Sequence, residues 1–482
     1  MSETSQPFVL QAIHALQTGD RRSAATLIER ELSAGEGSPH RMRSVSRLAA
    51  QIGEIEMSIE ASRRAASSGS IEEALGYWGI LASYGRSSEA LTELQRQPSA
   101  VQNHPSVLHF RGTVSTVFGR FDEAQEVFRR ALVQAPAALQ TWFALAMIKT
   151  FSVGDADLLA MERLERQPGG DPEGRASLYY ALGKAREECG DLDPAFEFYT
   201  KGAMLRRRQE PYDNERFRIA TDEAIRDFTA DSLSKLVPSG CAGQRSLFVT
   251  GLPRSGTTLT EQILLANSAV VDGGEVNLVK PALIPTLDFG WTGAISYQQR
   301  LRDADPWGKI GRDYGRFIDM RFQSPGLVVD KSLGQSHLVG LLLHALPDAR
   351  IAWLRRSPED IALSCFRTHF ATGLGWTWSL TDIADHMRAD DRLFNHWRSL
   401  FPDRILVVPY EELVHLPESW GRRLQEHFGL AVEPGVEKLP RHDRAVATAS
   451  VSQVRQPIST SRIGQAAAFE RQLKPFRERY YG

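Results

Sequence analysis

Cysteine is scarce: Cys189, Cys241 and Cys365 are the only three in 482 residues, and no two form a CxxC pair. That scarcity excludes a disulfide framework and a cysteine-built zinc site, and it suits a reducing compartment. Charge of one sign is also lacking. The 57 Lys and Arg against 59 Asp and Glu leave a formal charge of −2. No part of the chain carries the large basic excess of a general nucleic-acid binder, so no nucleic-acid partner is expected and any basic function must be a local pocket. Long apolar runs are missing too. Nowhere does the chain approach the roughly 18 uninterrupted apolar residues of a membrane-crossing helix. The opening stretch, MSETSQPFVLQAIHALQTGD, has neither a basic n-region nor a long apolar core. No signal peptide or membrane span is therefore expected, and the reading is a cytoplasmic protein. The remainder is ordinary for a folded chain, with 42% hydrophobic and 24% charged residues and length for roughly two to four domains.

The first two hundred residues repeat. Gly19, Gly53, Gly85, Gly119, Gly154 and Gly190 are separated by 34, 32, 34, 35 and 36 residues, a period that marks tetratricopeptide helix pairs. The best copy runs from about Pro105 to Ala138, with Gly112, Gly119, Ala124, Phe128, Ala131 and Pro136 at its small, turn, small, aromatic, small and breaker positions. A second, near Ala176–Leu205, uses Tyr179, Gly183, Gly190, Ala195, Tyr199 and Gly202 in the same way. Small residues let one helix approach while an aromatic ring from its neighbour fills the gap. One hairpin cannot bury its apolar face, so the spacing predicts six stacked pairs in an all-α tetratricopeptide solenoid over 1–208. Its groove would hold a peptide or protein; alternatively, the array only supports or dimerises the second half.

The repeat breaks at RRRQEPYDNERFR, 206–218. A connecting helix from about Asp213 to Lys235 and a linker fill 209–244, and a second domain is expected over 245–482. There short apolar runs alternate with amphipathic helices. Candidate strands are 246–252, 326–331, 349–356 and 404–413, with helices over 336–347 and 358–370. Buried strands joined by crossover helices imply an α/β domain with a central parallel sheet. Ligands of such sheets bind at the carboxyl ends of the strands, and Arg254, Lys331 and Arg356 all fall at or just past those ends.

The chain is organised around LFVTGLPRSGTTL, 247–259. A strand, a glycine-framed loop and a helix (257–264) make a P-loop-like arrangement whose backbone N–H groups and helix N-terminus hold an anion. The nucleotide-triphosphatase form is GxxxxGK[ST]. Here Gly251 and Gly256 keep the spacing, but Thr257 stands in the lysine slot and the loop's cation is Arg254. A phosphate-type group is still cradled, whereas an ATP or GTP reading is undercut. Asp330 ends an apolar run where a P-loop enzyme carries a metal-binding aspartate. With Thr257 in place of lysine that role is not expected, and no metal is expected.

Four features stand together: GLPRSGTTL at 251–259, GGE at 273–275, DK at 330–331 and RSPEDIALS at 356–364. With the repeats, they resemble the sulfotransferase superfamily that uses 3′-phosphoadenosine 5′-phosphosulfate (PAPS). Within it the chain is similar to protein-tyrosine sulfotransferases and to bacterial tetratricopeptide–sulfotransferase fusions. The resemblance implies that Arg254, Ser255, Gly256, Thr257 and Thr258 contact the 5′-phosphosulfate, and that Arg356 and Ser364 take the 3′-phosphate. It implies Glu275, 21 residues after Arg254, as general base, Lys331 as the cation steadying the transferred group, and Ser450 as a late active-site serine. The GRW motif of repeat-linked relatives is replaced by IGQAAAFE at 463–470. Gln465 therefore stands where a basic residue would meet the 3′-phosphate, and Arg455 or Arg462 is the candidate substitute. The lysine strand reads DKSLG in place of a proline-bearing DKxP.

The chemistry of the residues agrees. A hydroxyl attacking sulfur must lose a proton, and a carboxylate within reach can take it. A phenol, with a pKa of about 10, gives it up more easily than an aliphatic alcohol. In-line sulfuryl transfer, like phosphoryl transfer, is mostly positioning plus electrostatic stabilisation, within reach of arginine and lysine. The expected activity is therefore sulfuryl transfer to a hydroxyl, tyrosine of a peptide or protein foremost. Carbohydrate or metabolite hydroxyls stay open as acceptors, as does a non-catalytic repeat scaffold with a degenerate nucleotide-binding domain; a kinase or ATPase would need lysine at 257. Each residue also has a structural reading. Glu275 could cap a helix dipole, and Lys331 could form a strand-end ion pair with Asp330. Arg356 and Ser364 could decorate a helix start. His337 and His369 are packing histidines or substitute bases, and Trp376 and Trp378 line either the core or an acceptor cleft.

Overall fold

The computed structural model describes residues 8–35, 37–371, 373–435 and 457–482. Its first half is a succession of helix pairs, and all six glycines of the sequence period sit between the two helices of a pair. Each has positive φ, between 75° and 85°, the left-handed conformation that costs glycine least. After five of them the next N–H reaches back to close the helix end, as in Arg120 N to Ser115 O and Asp191 N to Arg186 O, both 2.9 Å. This bond satisfies carbonyls that would otherwise be orphaned at a helix C-terminus. The small-against-aromatic packing is also present. A Cβ on Gly112 would meet the Phe128 ring at 2.4 Å, and one on Gly183 the Tyr199 ring at 2.5 Å.

The second half carries a five-stranded sheet: β1 (Ser246–Thr250), β2 (Val270–Val271), β3 (Leu327–Asp330), β4 (Ile351–Arg355) and β5 (Ile405–Pro409). The order is β2-β3-β1-β4-β5 and every pairing is parallel. The four expected strands are all there, trimmed. The last expected run splits, because Tyr410–His415 turns helical directly after β5. The two-residue β2 is an addition; its strand is too short to show a period. The expected connecting helix is Asn214–Asp227 followed by a turn at Ala230–Leu233. The expected helix over 336–347 shortens to Val339–Ala345 behind a 3₁₀ turn, and that over 358–370 to Pro358–Phe366.

Apolar burial joins the two halves. One core cluster contains Trp78, Leu81 and Leu94 of the helix pairs together with Phe228, Phe317, Trp353 and Trp397. A second joins Tyr180, Ala195 and Tyr199 to Phe366, Trp376, Phe469 and Phe476. The first pairs are also pinned by charge. Arg21 and Arg316 both donate to Glu54 Oε1, at 2.8 and 2.6 Å, and the Arg21 guanidinium lies 4.8 Å from the Phe317 ring centroid. The helical half thus presses on the sheet half along its length, which bears on the site below.

Candidate anion-binding and transfer site

In the order 2-3-1-4-5, the chain leaves β1 toward β2 and leaves β4 toward β5, on opposite sides. The carboxyl ends of β1 and β4 therefore flank the crevice where open parallel sheets bind ligands. The loop from Gly251 to Gly256 sits at that point, and Thr257–Leu265 follows it as a helix. Close quarters explain the glycines. A Cβ on Gly251 would meet Leu354 O at 3.0 Å, and one on Gly256 would meet the Tyr410 ring at 2.5 Å; both have positive φ, 149° and 107°. Arg254 itself is held at φ 69°, a conformation uncommon outside glycine. Thr257 and Thr258 lie buried in the first turn of the helix.

Arg254 turns inward and donates from Nε to Ser364 Oγ at 2.9 Å. Arg356, one residue past β4, donates to Arg254 O at 3.0 Å and to Arg462 O, and its guanidinium lies 4.5 Å from the Tyr410 ring centroid. Asp360 anchors the C-terminal segment, accepting from Gly464 N at 2.8 Å and Ala466 N at 3.0 Å. Burial, reinforced by the charges of Arg367, Arg356 and Arg462, lowers Arg254 to about 10. It is still a cation at neutral pH. Burial and the charges of Arg367 and Arg356 also lower Arg462. Four guanidinium groups thus converge on one crevice, and like charges gather in this way where an anion is bound. Burial pushes the adjacent Cys365 thiol up to about 12, so it stays protonated beside them.

The neighbouring strand supplies the second group. Lys331, immediately after β3, is 1% exposed; its Nζ lies 3.8 Å from Glu275 Oε1 and 3.9 Å from Glu261 Oε2. Glu261 is equally buried, whereas the Glu275 side chain is 44% exposed. The GGE loop is tied to β3 by Lys331 N donating to Gly274 O at 2.9 Å, and a Cβ on Gly273 would meet Val329 O at 2.1 Å. Asp330 does not pair with Lys331. It accepts from Tyr314 OH at 2.8 Å and from Ser332 N at 3.0 Å.

The sequence expectations therefore divide. Arg254, Ser364, Arg356 and Arg462 come together in one cluster, and Lys331 and Glu275 in another beside it. Ser450 and Arg455 lie outside the described residues. His369 packs between Tyr180 and Phe143, with centroids 5.0 and 5.2 Å away. His337 bonds Thr221 Oγ1 at 3.1 Å and meets Phe217 edge-on. Burial lowers both imidazoles to about 4, and both are packing residues, His369 against the helical half and His337 against the connecting helix. Trp376 stacks on His386 at 4.1 Å and Trp378 is buried under Arg206, which makes both core residues. Sequence reading missed Glu261, Tyr410, Asp360 and Arg367. Of these only Arg367, three residues beyond Ser364, had a signal, as a further cation one turn along the same helix.

The buried polar atoms that find no protein hydrogen bond among the described residues include Ser255 Oγ in the loop and Arg356 Nε beside it. Unmet buried donors are costly unless a ligand satisfies them. Together with the glycine-lined loop and the four cations, they fit a ligand with more than one anionic group.

The fold and site define a parallel-sheet domain with a lysine-free, arginine-bearing anion loop. Residues 246–434 match the sequence model of the Sulfotransferase family, so this stretch is a sulfotransferase-family domain. Over 416 residues the chain is 30% identical to an uncharacterized protein of Aquifex aeolicus (strain VF5), the match covering 82% of this chain and 53% of that protein. The chain thus spans about half the length of the curated relative it matches. Among solved structures, it is similar to the sulfotransferase domain of the Synechococcus PCC 7002 olefin synthase (17% identity, 48% of this chain and 91% of that one, TM-score 0.34). A sulfotransferase from Mycobacterium tuberculosis H37Rv is similar at 17% identity, over 68% of this chain and 98% of that one, with a TM-score of 0.30.

Proposed function

We propose that this chain transfers a sulfuryl group from PAPS to a hydroxyl, with tyrosine of a peptide or protein as the acceptor. The observation that carries the reading is the pairing of the Arg254–Ser364–Arg356 cluster with the Lys331–Glu275 pair at the ends of adjacent strands. The donor, when bound, supplies an activated sulfuryl group on a phosphate leaving group. Arg254 to Thr258 hold its 5′ end, while Arg356 and Ser364 hold its 3′-phosphate. Glu275 is half-exposed and so open to an incoming acceptor, whose hydroxyl proton it takes at a carboxylate oxygen. Lys331 is buried and fixed between two carboxylates. It presents its ammonium without reorganisation to negative charge that develops during transfer.

The helical half, of tetratricopeptide type, is the acceptor's platform. A cavity of about 650 Å³ opens between the two halves, lined by Glu56, Arg86 and Glu89 on one side and Asp319, Met320 and Arg321 on the other. Arg321 in turn donates to Val276 O at 2.9 Å, next to Glu275.

The test is mass spectrometry of tyrosine peptides incubated with PAPS, alongside calorimetry with 3′-phosphoadenosine 5′-phosphate and with ATP. A mass gain on tyrosine that is lost in Glu275→Ala, with tighter binding of the adenosine bisphosphate than of ATP, is the expected result. Tighter ATP binding, or a fully active Glu275→Ala, would overturn it.

A further inference from the structure

Arg367 caps the helix Pro358–Phe366, three residues beyond Ser364, and its guanidinium spans two elements that the motifs do not connect. Nη2 donates to Gln465 Oε1 at 2.5 Å. Nη1 donates to Glu187 Oε1 at 2.6 Å. Glu187 belongs to the helix Pro172–Glu188 of the helical half, and Tyr199 OH donates to its other oxygen at 2.8 Å. The Tyr199 ring is the one that fills the gap over Gly183, so the packing of this helix pair aims the carboxylate. Among the described residues, the carboxylates in contact with the cluster's guanidinium groups are Asp360 on Arg356 and Glu187 on Arg367. Asp360 is committed to two backbone N–H groups. Glu187 is the one that comes from outside the sheet half.

The geometry points to Arg367 as a donor-binding residue of the anion crevice, the cation for the 3′-phosphate in place of the basic residue absent at Gln465, with Glu187 of the helical half as a counter-ion that competes with that phosphate. This rests on the donor reading above. Three facts carry it. Gln465, at the position where a basic side chain would serve, is itself hydrogen-bonded to Arg367. Arg367 is also the neighbouring charge that weighs most on Arg254, so the two lie close. Finally, Glu187 holds only one side of the guanidinium, and a phosphate bearing a stronger charge can displace it or share it. The consequence is a link between the halves: whatever draws Glu187 away from Arg367 raises donor affinity, and donor binding loosens this contact of the helical half.

The experiment measures calorimetric affinities of the full chain for 3′-phosphoadenosine 5′-phosphate and for adenosine 5′-phosphate, which lacks the 3′ group. Arg367→Gln is expected to bind the bisphosphate at least tenfold more weakly and the monophosphate within twofold of wild type, with Arg367→Lys recovering part of the loss. Glu187→Gln keeps the side-chain shape and removes the charge. It should bind the bisphosphate at least threefold more tightly, again with the monophosphate unchanged. The monophosphate affinity also reports that each variant is folded. Bisphosphate binding by Arg367→Gln equal to wild type would overturn the phosphate role, and unchanged or weaker binding by Glu187→Gln the counter-ion role. If the wild-type chain shows no preference for the bisphosphate, the donor reading itself fails and this inference with it.

Discussion

Lys331 shows how a single residue acquires a role from its surroundings. A lysine is rarely fully buried unless paired, and this one lies between two carboxylates at 3.8 and 3.9 Å. Those separations are ion pairs without tight hydrogen bonds, so the ammonium keeps donors to offer. Lys331→Met preserves volume but leaves Glu261 buried beside an uncharged chain. Loss of one partner of a buried pair costs on the order of 3–5 kcal/mol. Loss of an electrostatic stabiliser of the transferred group costs about 10²–10³ in kcat. The expected outcome is both at once, with 3′-phosphoadenosine 5′-phosphate affinity within a few-fold of wild type. The checks are thermal unfolding, single-turnover transfer assays and calorimetry. A variant with unchanged kcat would remove Lys331 from the chemistry.

At the scale of elements, the loop between β1 and its helix is shaped as much by its neighbours as by its own sequence. Gly256 is the helix N-cap at φ 107° and has the Tyr410 ring within 2.5 Å of where a Cβ would sit. Gly256→Ala therefore meets two penalties: a backbone conformation costing about 1–3 kcal/mol and an overpacked contact of about the same size. The variant should unfold at a lower temperature and bind 3′-phosphoadenosine 5′-phosphate at least tenfold more weakly. Adding Tyr410→Ala removes the clash but not the dihedral strain, so the double variant should recover stability only in part. Full recovery would show that the backbone conformation carries no cost here. The GGE loop follows the same logic at Gly273, where a Cβ would strike the Val329 carbonyl oxygen at 2.1 Å.

Across the whole molecule, the helical half is fastened to the sheet half by charge as well as by apolar burial. Burial alone would raise the Glu54 carboxyl, but hydrogen bonds from Arg316 and Arg21 and their charges hold it below the usual carboxylate range. A carboxylate depressed in the folded state adds stability above its unfolded value, about 4.3. That contribution is lost as pH falls through the lower folded value. Glu54→Gln should therefore lower the thermal midpoint at pH 7, since it leaves the buried Arg21 with only the longer ion pair to Asp313, at 3.7 Å. The gap between the two proteins should close as the pH drops below 4. A gap that stays constant across that range would mean that ionisation of Glu54 contributes nothing to stability.

Local patterns were enough to place much of this architecture. The glycine period lay open because each pair needs a left-handed residue at its turn, and the small-aromatic positions because two helices can approach closely only there. The apolar runs marked four of the five strands, and β2 escaped because two residues cannot show a period. The anion loop was legible because its chemistry is contiguous from Gly251 to Thr258. Groups brought together from distant segments were not. Glu261 reads as one polar residue on an amphipathic helix, and Tyr410 as the end of a strand. Nothing in the chain order places Glu187 against Arg367, 180 residues away. Hydrogen-bonding and steric demands within about ten residues write themselves into the order of amino acids. The meeting of Arg254, Arg356, Arg367, Arg462 and Glu187 depends on how the helix pairs press against the sheet, and only the packed tertiary structure decides that.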